Sequence, residues 1–171
     1  MAIIRSVKQQ SKKFKIIRDT REQKGKGWIF RASTNCDGME IEKLDVGDYT
    51  VKGYEDVLMI ERKTLGDLWN TLGNVESYKR FLREMERAKN HKMKYIIIEA
   101  TLAELDRGYY WYVRGKKTKS KISPKNIHAK LISLQVKHNV HVVFAGRIDK
   151  ARSYARLLMD KIFRYTQDGT L

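Results

Sequence analysis

Apolar positions along the chain fall into short runs that alternate between a period of two and a period near 3.6. Residues 14–18 read as a first strand centred on Ile16 and Ile17, ending in the polar run Asp19-Thr20-Arg21-Glu22 before a Gly25-Lys26-Gly27 turn. Residues 28–32 read as an extension of it or the start of another strand, and 39–44 alternate as a half-exposed strand. Two short strands follow around a loop at Gly53: Gly47-Asp48-Tyr49, then Val57-Leu58-Met59-Ile60-Glu61-Arg62-Lys63. A helix starts at Thr64. A second helix covers about residues 74–89, with Tyr78, Phe81, Leu82, Met85 and Ala88 on one face and Lys79, Arg80, Arg83 and Arg87 on the other. Residues 95–98 are a continuous apolar run, the pattern of a strand buried on both faces. Residues 107–121 read as a loop or short hairpin. Ser123-Pro124 then opens a helix as N-cap and first helical residue, with Ile127, Leu131, Leu134 and Val136 as its apolar positions. Residues 141–144 form a last strand. A long helix over about 149–165 carries Ala151, Tyr154, Leu158 and Ile162 on one side. This order predicts an α/β fold with a central mixed sheet flanked by helices.

The length of 171 residues suits a single domain with a real core, expected over 14–171 behind a flexible basic arm at 1–13. No apolar run is long enough for a bilayer, and the basic start lacks the apolar stretch of a secretory signal. Lys and Arg total 36 against 20 Asp and Glu, a net charge of +16. That excess points to a polyanionic partner, nucleic acid rather than membrane. Cys36 is the only cysteine, which excludes an intrachain disulfide and a Cys-based zinc site and fits an intracellular, reducing compartment. Its neighbours Thr34, Asn35, Asp37 and Gly38 are turn residues, so it reads as an incidental thiol. His91, His128, His138 and His141 have no ligand spacing.

Candidate chemistry sits at two strand ends. If the strands around Gly53 pair as a hairpin, Asp48 and Glu61 come close together. Glu61 and Lys63, two apart, point the same way on an extended strand, while Arg62 points the other way. Two carboxylates hold a hard divalent cation through oxygen, and such a cation stabilises charge building at phosphorus and lowers the pKa of water. A lysine beside them orients that water. Taken alone, these residues are explained as well by a solvated strand edge, and Asp48 by turn chemistry after a glycine. Thr64-Leu65-Gly66-Asp67 has capping-box spacing, so Asp67 reads equally as a helix cap. Asp19 and Glu22 either add acids to the same pocket or form a polar turn.

Gly47-Asp48-Tyr49, then Glu61-Arg62-Lys63 and Asp67, resembles the Gly-Asp…Glu-Arg-Lys-x-x-x-Asp signature of the XPF-type (ERCC4 domain) structure-specific endonucleases, a branch of the PD-(D/E)XK nucleases. Residues 16–22 are similar to that family's strand ending in Asp-x-Arg-Glu. Tyr78-Lys79-Arg80-Phe81, the strand at 95–98, the helix opened by Ser123-Pro124 and Val142-Val143-Phe144 before the last helix extend the resemblance over about 14–165. It implies a restriction-endonuclease-like core. It also implies Asp48 and Glu61 as ligands of Mg²⁺ or Mn²⁺, Lys63 as the catalytic lysine, Asp19 and Glu22 completing the acidic pocket with Asp19 as a further metal ligand, and Arg62 and Asp67 as supports. The implied substrate is branched, flap or junction DNA. Two departures stand out. The tandem helix-hairpin-helix module common in the family is expected to be missing here. Where the family often has Gln four residues beyond its arginine, Arg80 is followed by Glu84.

Contacts to DNA are expected from the basic arm, from Arg80 and Arg83 on the second helix, and from Trp111, Arg114, Lys116 and Lys117, where aromatics among cations offer both stacking and phosphate contacts. The same tyrosines and lysines also suit a charged flap with no ligand. Three functions compete: a metal-dependent DNA endonuclease, a non-catalytic DNA-binding or scaffold subunit of a nuclease complex, and a basic RNA-associated protein. The complete set of acids and lysine favours the first. The resemblance also implies a possible homodimer through the last helix.

Overall fold

The structure, a computed structural model, describes residues 12–22, 25–113 and 115–171. Most of the expected basic arm, and Arg114, lie outside these residues. The first part of the chain runs β1 (Phe14–Asp19), β2 (Cys36–Glu42), β3 (Tyr49–Val51), β4 (Leu58–Thr64), α1 (Leu65–Gly73), α2 (Val75–Arg87) and β5 (Met93–Glu99). It continues through α3 (Leu102–Asp106), β6 (Tyr110–Val113), β7 (Lys116–Lys119), α4 (Pro124–His138), β8 (His141–Phe144) and α5 (Ile148–Gln167).

The expected mixed sheet is present; its six strands lie in the order β2-β1-β3-β4-β5-β8. β3 is antiparallel to both of its neighbours, and the remaining pairs are parallel. Five strands therefore point one way, and their carboxyl ends share one edge of the sheet. In open α/β sheets that edge is where ligands bind.

Helices cover both faces. Ile96 and Ile98 join a core with Leu68, Trp69, Phe81, Met85, Ile127 and Leu134 from α1, α2 and α4. Ile97 faces the other way, into a core with Ala151, Ala155, Met159 and Ile162 of α5 and with Ile16, Tyr49 and Ile60. The unbroken apolar run of β5 is thus explained by burial on both sides. Helix starts follow their capping residues. The side-chain oxygens of Thr64, Asn74, Thr101 and Ser123 accept the amides of Asp67, Ser77, Glu104 and Asn126.

Four expectations change. Residues 28–32 form no strand, because β2 and β3 already flank β1 on its two sides. Instead Trp28 stacks on Tyr49 at 4.9 Å and Phe30 meets Tyr49 edge-on. Cys36 is not in a turn: it opens β2, is fully buried, and acts as a small core residue. Val136, expected on the apolar side of α4, is 78% exposed. On α5, Ala155 and Met159 are buried where Tyr154 was expected to be, because the buried stripe is rotated by one residue. The segment 107–121 is a hairpin, β6 with β7, and the one-turn helix α3 before it had no visible sequence signal beyond Thr101 and Glu104.

The carboxyl edge is held by one ionic cluster. The Arg62 guanidinium, on β4, donates to both oxygens of Glu99 at the end of β5 at 2.7 and 2.9 Å, and to Glu22 after β1 at 2.6 Å. The Trp28 indole N–H adds a bond of 2.6 Å to Glu99. All three charged side chains are at most 10% exposed. Burial alone would lower the Arg62 pKa, but Glu99 and Glu22 outweigh it and push it up. Removing one member of such a buried cluster leaves uncompensated charge. Arg62→Ala should therefore cost about 3–5 kcal/mol of stability. Urea denaturation checks this, and a loss below about 1 kcal/mol would mean the cluster behaves as an exposed pair.

Candidate active site

The hairpin of β3 and β4 builds the site. Gly47 has φ +72°, and a Cβ there would lie 2.7 Å from Met59 Cγ and 3.1 Å from the Ile60 carbonyl oxygen. Only glycine fits so close to β4 in that conformation. The tight approach lets the Asp48 amide donate to the Ile60 carbonyl at 2.8 Å, while the Asp48 carbonyl accepts from the Asp19 amide at 2.8 Å. The Asp48 side chain then meets the end of β4, its Oδ2 accepting from the Arg62 amide at 2.8 Å.

Strand alternation does the rest. Arg62 turns into the ionic cluster, and Glu61 and Lys63 turn together toward α2. Glu61 is buried and accepts from the Lys63 ammonium through Oε1. The ammonium also lies 5.0 Å from the Phe81 ring centre. The expected group of Asp48, Glu61 and Lys63 is brought together.

Charges in this pocket are perturbed as in a site. Burial, then the charge of Glu61, pushes the Asp48 carboxyl well above the usual carboxylate range. Burial also pushes Glu61 up, against the opposing pull of Lys63. Burial works to lower the Lys63 pKa, but Glu61, with help from Asp48 and Glu84, raises it.

The other expected acids are placed differently. Asp19 is buried, and its oxygens accept from the Arg21 amide (2.7 Å), the Arg21 Nε (2.7 Å) and the Leu44 amide (2.6 Å). Burial would raise its pKa, but these bonds prevail and lower it. Asp19 thus closes the turn after β1 and links it to Leu44. Glu22 belongs to the Arg62 cluster. Asp67 is exposed and accepts from the Thr64 hydroxyl at 2.6 Å at the start of α1.

Sequence reasoning missed two acids at the site. Glu99 holds Arg62. Its signal was available, since it ends an apolar strand just as Glu61 does. Glu84, visible in the sequence only as a departure four residues beyond Arg80, accepts the Gly47 amide at 3.2 Å, and its charge raises the pKa of both Glu61 and Lys63.

A divalent cation fits the donors. Among the described residues no cluster of three or more His, Cys, Asp or Glu has ligand spacing. Asp48 and Glu61, however, are adjacent like charges, and each keeps one carboxylate oxygen outside the bonds just described. A hard cation takes such oxygens and completes its shell with carbonyls and water.

Beside Lys63 a cleft of about 270 Å³ is lined by Arg21, Arg80, Arg83, Glu84 and Arg87, among others, so Arg80 and Arg83 are at the site. Trp111, Lys116 and Lys117 are on the β6–β7 hairpin and do not line this cleft. There Trp111 is 39% exposed, and Lys117 Nζ lies 4.5 Å over the Tyr110 ring.

The model of the ERCC4 domain matches residues 18–155. No curated protein sequence matches the chain. Among solved structures, XPF from Aeropyrum pernix superposes with a TM-score of 0.61 at 17% identity, covering 91% of this chain and 68% of that one. XPF from Aeropyrum pernix in complex with DNA gives 0.57 at 17% identity, covering 92% and 66%. The mixed sheet with helices on both faces is the fold of these XPF structures. The family match spans the hairpin, the Arg62 cluster and the cleft on α2, and the chain belongs to the ERCC4 domain family.

Proposed function

We propose that this chain is a metal-dependent DNA endonuclease that hydrolyses phosphodiester bonds at branched, flap or junction DNA. The observation carrying this reading is the half-buried Asp48 and the buried Glu61 with Lys63 beside them, Lys63 also lining an arginine-rich cleft. Membership of the ERCC4 domain family supports nuclease chemistry. The DNA complex of the structurally similar Aeropyrum pernix XPF supports DNA as the ligand. No described helix is long and apolar enough to cross a membrane, and a DNA-associated location inside the cell accompanies the proposal.

In this reading Asp48 and Glu61 hold Mg²⁺ or Mn²⁺, which when bound stabilises the charge developing at phosphorus and acidifies water. The chain's own residues set the geometry around that ion. The Arg62 amide fixes the rotation of the Asp48 carboxylate, and Lys63 fixes that of Glu61. Lys63, bonded to Glu61, acts as a donor that orients the attacking water or a phosphate oxygen. Arg80, Arg83 and Arg87 neutralise neighbouring phosphates. Asp19, Glu22, Arg62 and Asp67 act as supports that keep the strand ends and the start of α1 in place.

Asp48→Asn should lower cutting of labelled flap, splayed-arm and four-way DNA by more than about 100-fold while DNA binding persists. Full activity in this variant would sink the mechanism. If no substrate is cut by the unmodified protein with Mg²⁺ or Mn²⁺, the scaffold reading takes over. The raised pKa values of Asp48 and Glu61 move the acidic limb of the rate profile above the ordinary carboxylate value of about 4, since both must be ionised to hold a cation. The stability sign is opposite to that of a salt-bridged acid. A folded pKa above the unfolded one means the group's stability contribution is greatest at low pH and falls as pH rises through the folded pKa. In chelator at neutral pH, Asp48→Asn should then melt no lower than the unmodified protein.

Two finer elements belong to the same proposal. The hairpin residues Trp111, Lys116 and Lys117 contact unpaired DNA, so Trp111→Ala should weaken single-strand binding by about 1–3 kcal/mol. Unchanged affinity in a folded variant removes the hairpin from the interface. A homodimer pairs through α5, which exposes Tyr154, Leu157 and Tyr165. Light scattering that gives the mass of one chain at working concentration dismisses it.

A further inference from the structure

We propose that a second cleft, between the segment after Trp28 and the first half of α5, binds the phosphodiester backbone of the same nucleic acid on the opposite face of the sheet. The inference rests on the nuclease reading above. The cleft measures about 550 Å³ and is lined by Ile29, Phe30, Arg31, Arg152, Ser153 and Arg156. Half of its lining is arginine, and none is acidic. Arg31 and Arg152 are exposed, and neither has an acidic partner among the described residues. This sets them apart from Arg21, Arg62 and Arg164, which are neutralised by Asp19, by Glu22 and Glu99, and by Asp160.

The remaining members give the cleft a fixed shape. Arg156 is half-buried and anchored, its guanidinium bonded to the Ser33 hydroxyl and 3.5 Å from Asn35 Oδ1. The acids on α5 are engaged elsewhere, Asp160 by Asn35 at 2.9 Å and Arg164 at 3.0 Å, and Asp149 by Arg147 at 3.2 Å. Phe30 is buried as a floor, and Ile29 is 58% exposed beside it. A guanidinium matches phosphate oxygens by paired N–H donors, and an apolar residue at the rim suits the sugar between two phosphates.

Position links the cleft to the catalytic edge. Trp28 bonds Glu99 at the end of β5, and Arg31 is three residues further on, at most about 11 Å of extended chain. α5 enters its core from the carboxyl end of β8 and packs on one face of the sheet, while Arg80, Arg83 and Arg87 ride on α2 over the other. A nucleic acid crossing the edge at Asp48 and Glu61 therefore meets arginines on both sides.

The test is the double variant Arg31→Glu with Arg152→Glu, both exposed positions, compared with the unmodified protein in chelator. Its folding is checked by circular dichroism and melting temperature. Binding of labelled duplex and splayed-arm DNA should weaken at least about tenfold, and the slope of log affinity against log salt should shrink by about 2, one for each phosphate that is no longer neutralised. A folded variant with unchanged affinity and slope overturns the proposal. So does a cleft that binds inorganic phosphate or a labelled mononucleotide tightly while the variant's DNA affinity stays unchanged, which would make it a small-anion site. The two readings fail separately. If the unmodified protein binds no DNA, the nuclease reading falls and the cleft with it. If it binds and cuts DNA but the variant is unaffected, only the cleft proposal falls.

Discussion

The Arg62 cluster is the constraint on which the carboxyl edge of the sheet depends. Its three charged side chains come from β4, β5 and the turn after β1, and each would be a costly buried charge without the others. Because strand side chains alternate, pinning Arg62 toward Glu99 and Glu22 forces Glu61 and Lys63 to the opposite side. The backbone amide of the same residue fixes Asp48. One residue thereby sets the direction of the other three, and the order of the Glu-Arg-Lys triplet has a mechanical reason.

Two aspartates at neighbouring strand ends, Asp19 buried and Asp48 half-buried, are held in opposite ways. Asp19 receives N–H donors from Arg21 and Leu44, and its pKa falls. Asp48 receives one amide, faces Glu61, and its pKa rises. The stabilised carboxylate has little left to offer a ligand. The destabilised one gains most from a cation, and perturbation of that kind concentrates at functional sites. Acids that would repel a polyanion are set within a surface rich in arginine, with Lys63 between the two.

The fold was largely legible because its signals are local. The apolar run of β5, the amphipathic face of α2, the Ser123-Pro124 start of α4 and the dual reading of Asp67 as a cap all rest on neighbours within one or two turns or on strand alternation. The loop at 28–35 misled for the opposite reason. Its apolar residues are buried by stacking on Tyr49 and not by a ladder, and a period-two pattern does not distinguish the two.

Apart from the strand expected at 28–32 and the unseen α3, the sequence alone determined the order of elements and the mixed sheet, and it pointed to the grouping of Asp48, Glu61 and Lys63, because a hairpin and a two-residue offset are short-range geometry. Only the tertiary structure decided the role of each remaining charge. Glu99 meets Arg62 across 37 residues, and Glu84 meets Gly47 at the same separation. Asp19 is committed to Leu44, 25 positions away. Such pairs arise from strand order and helix docking, and no local periodicity encodes which acid will find which donor once the chain has packed.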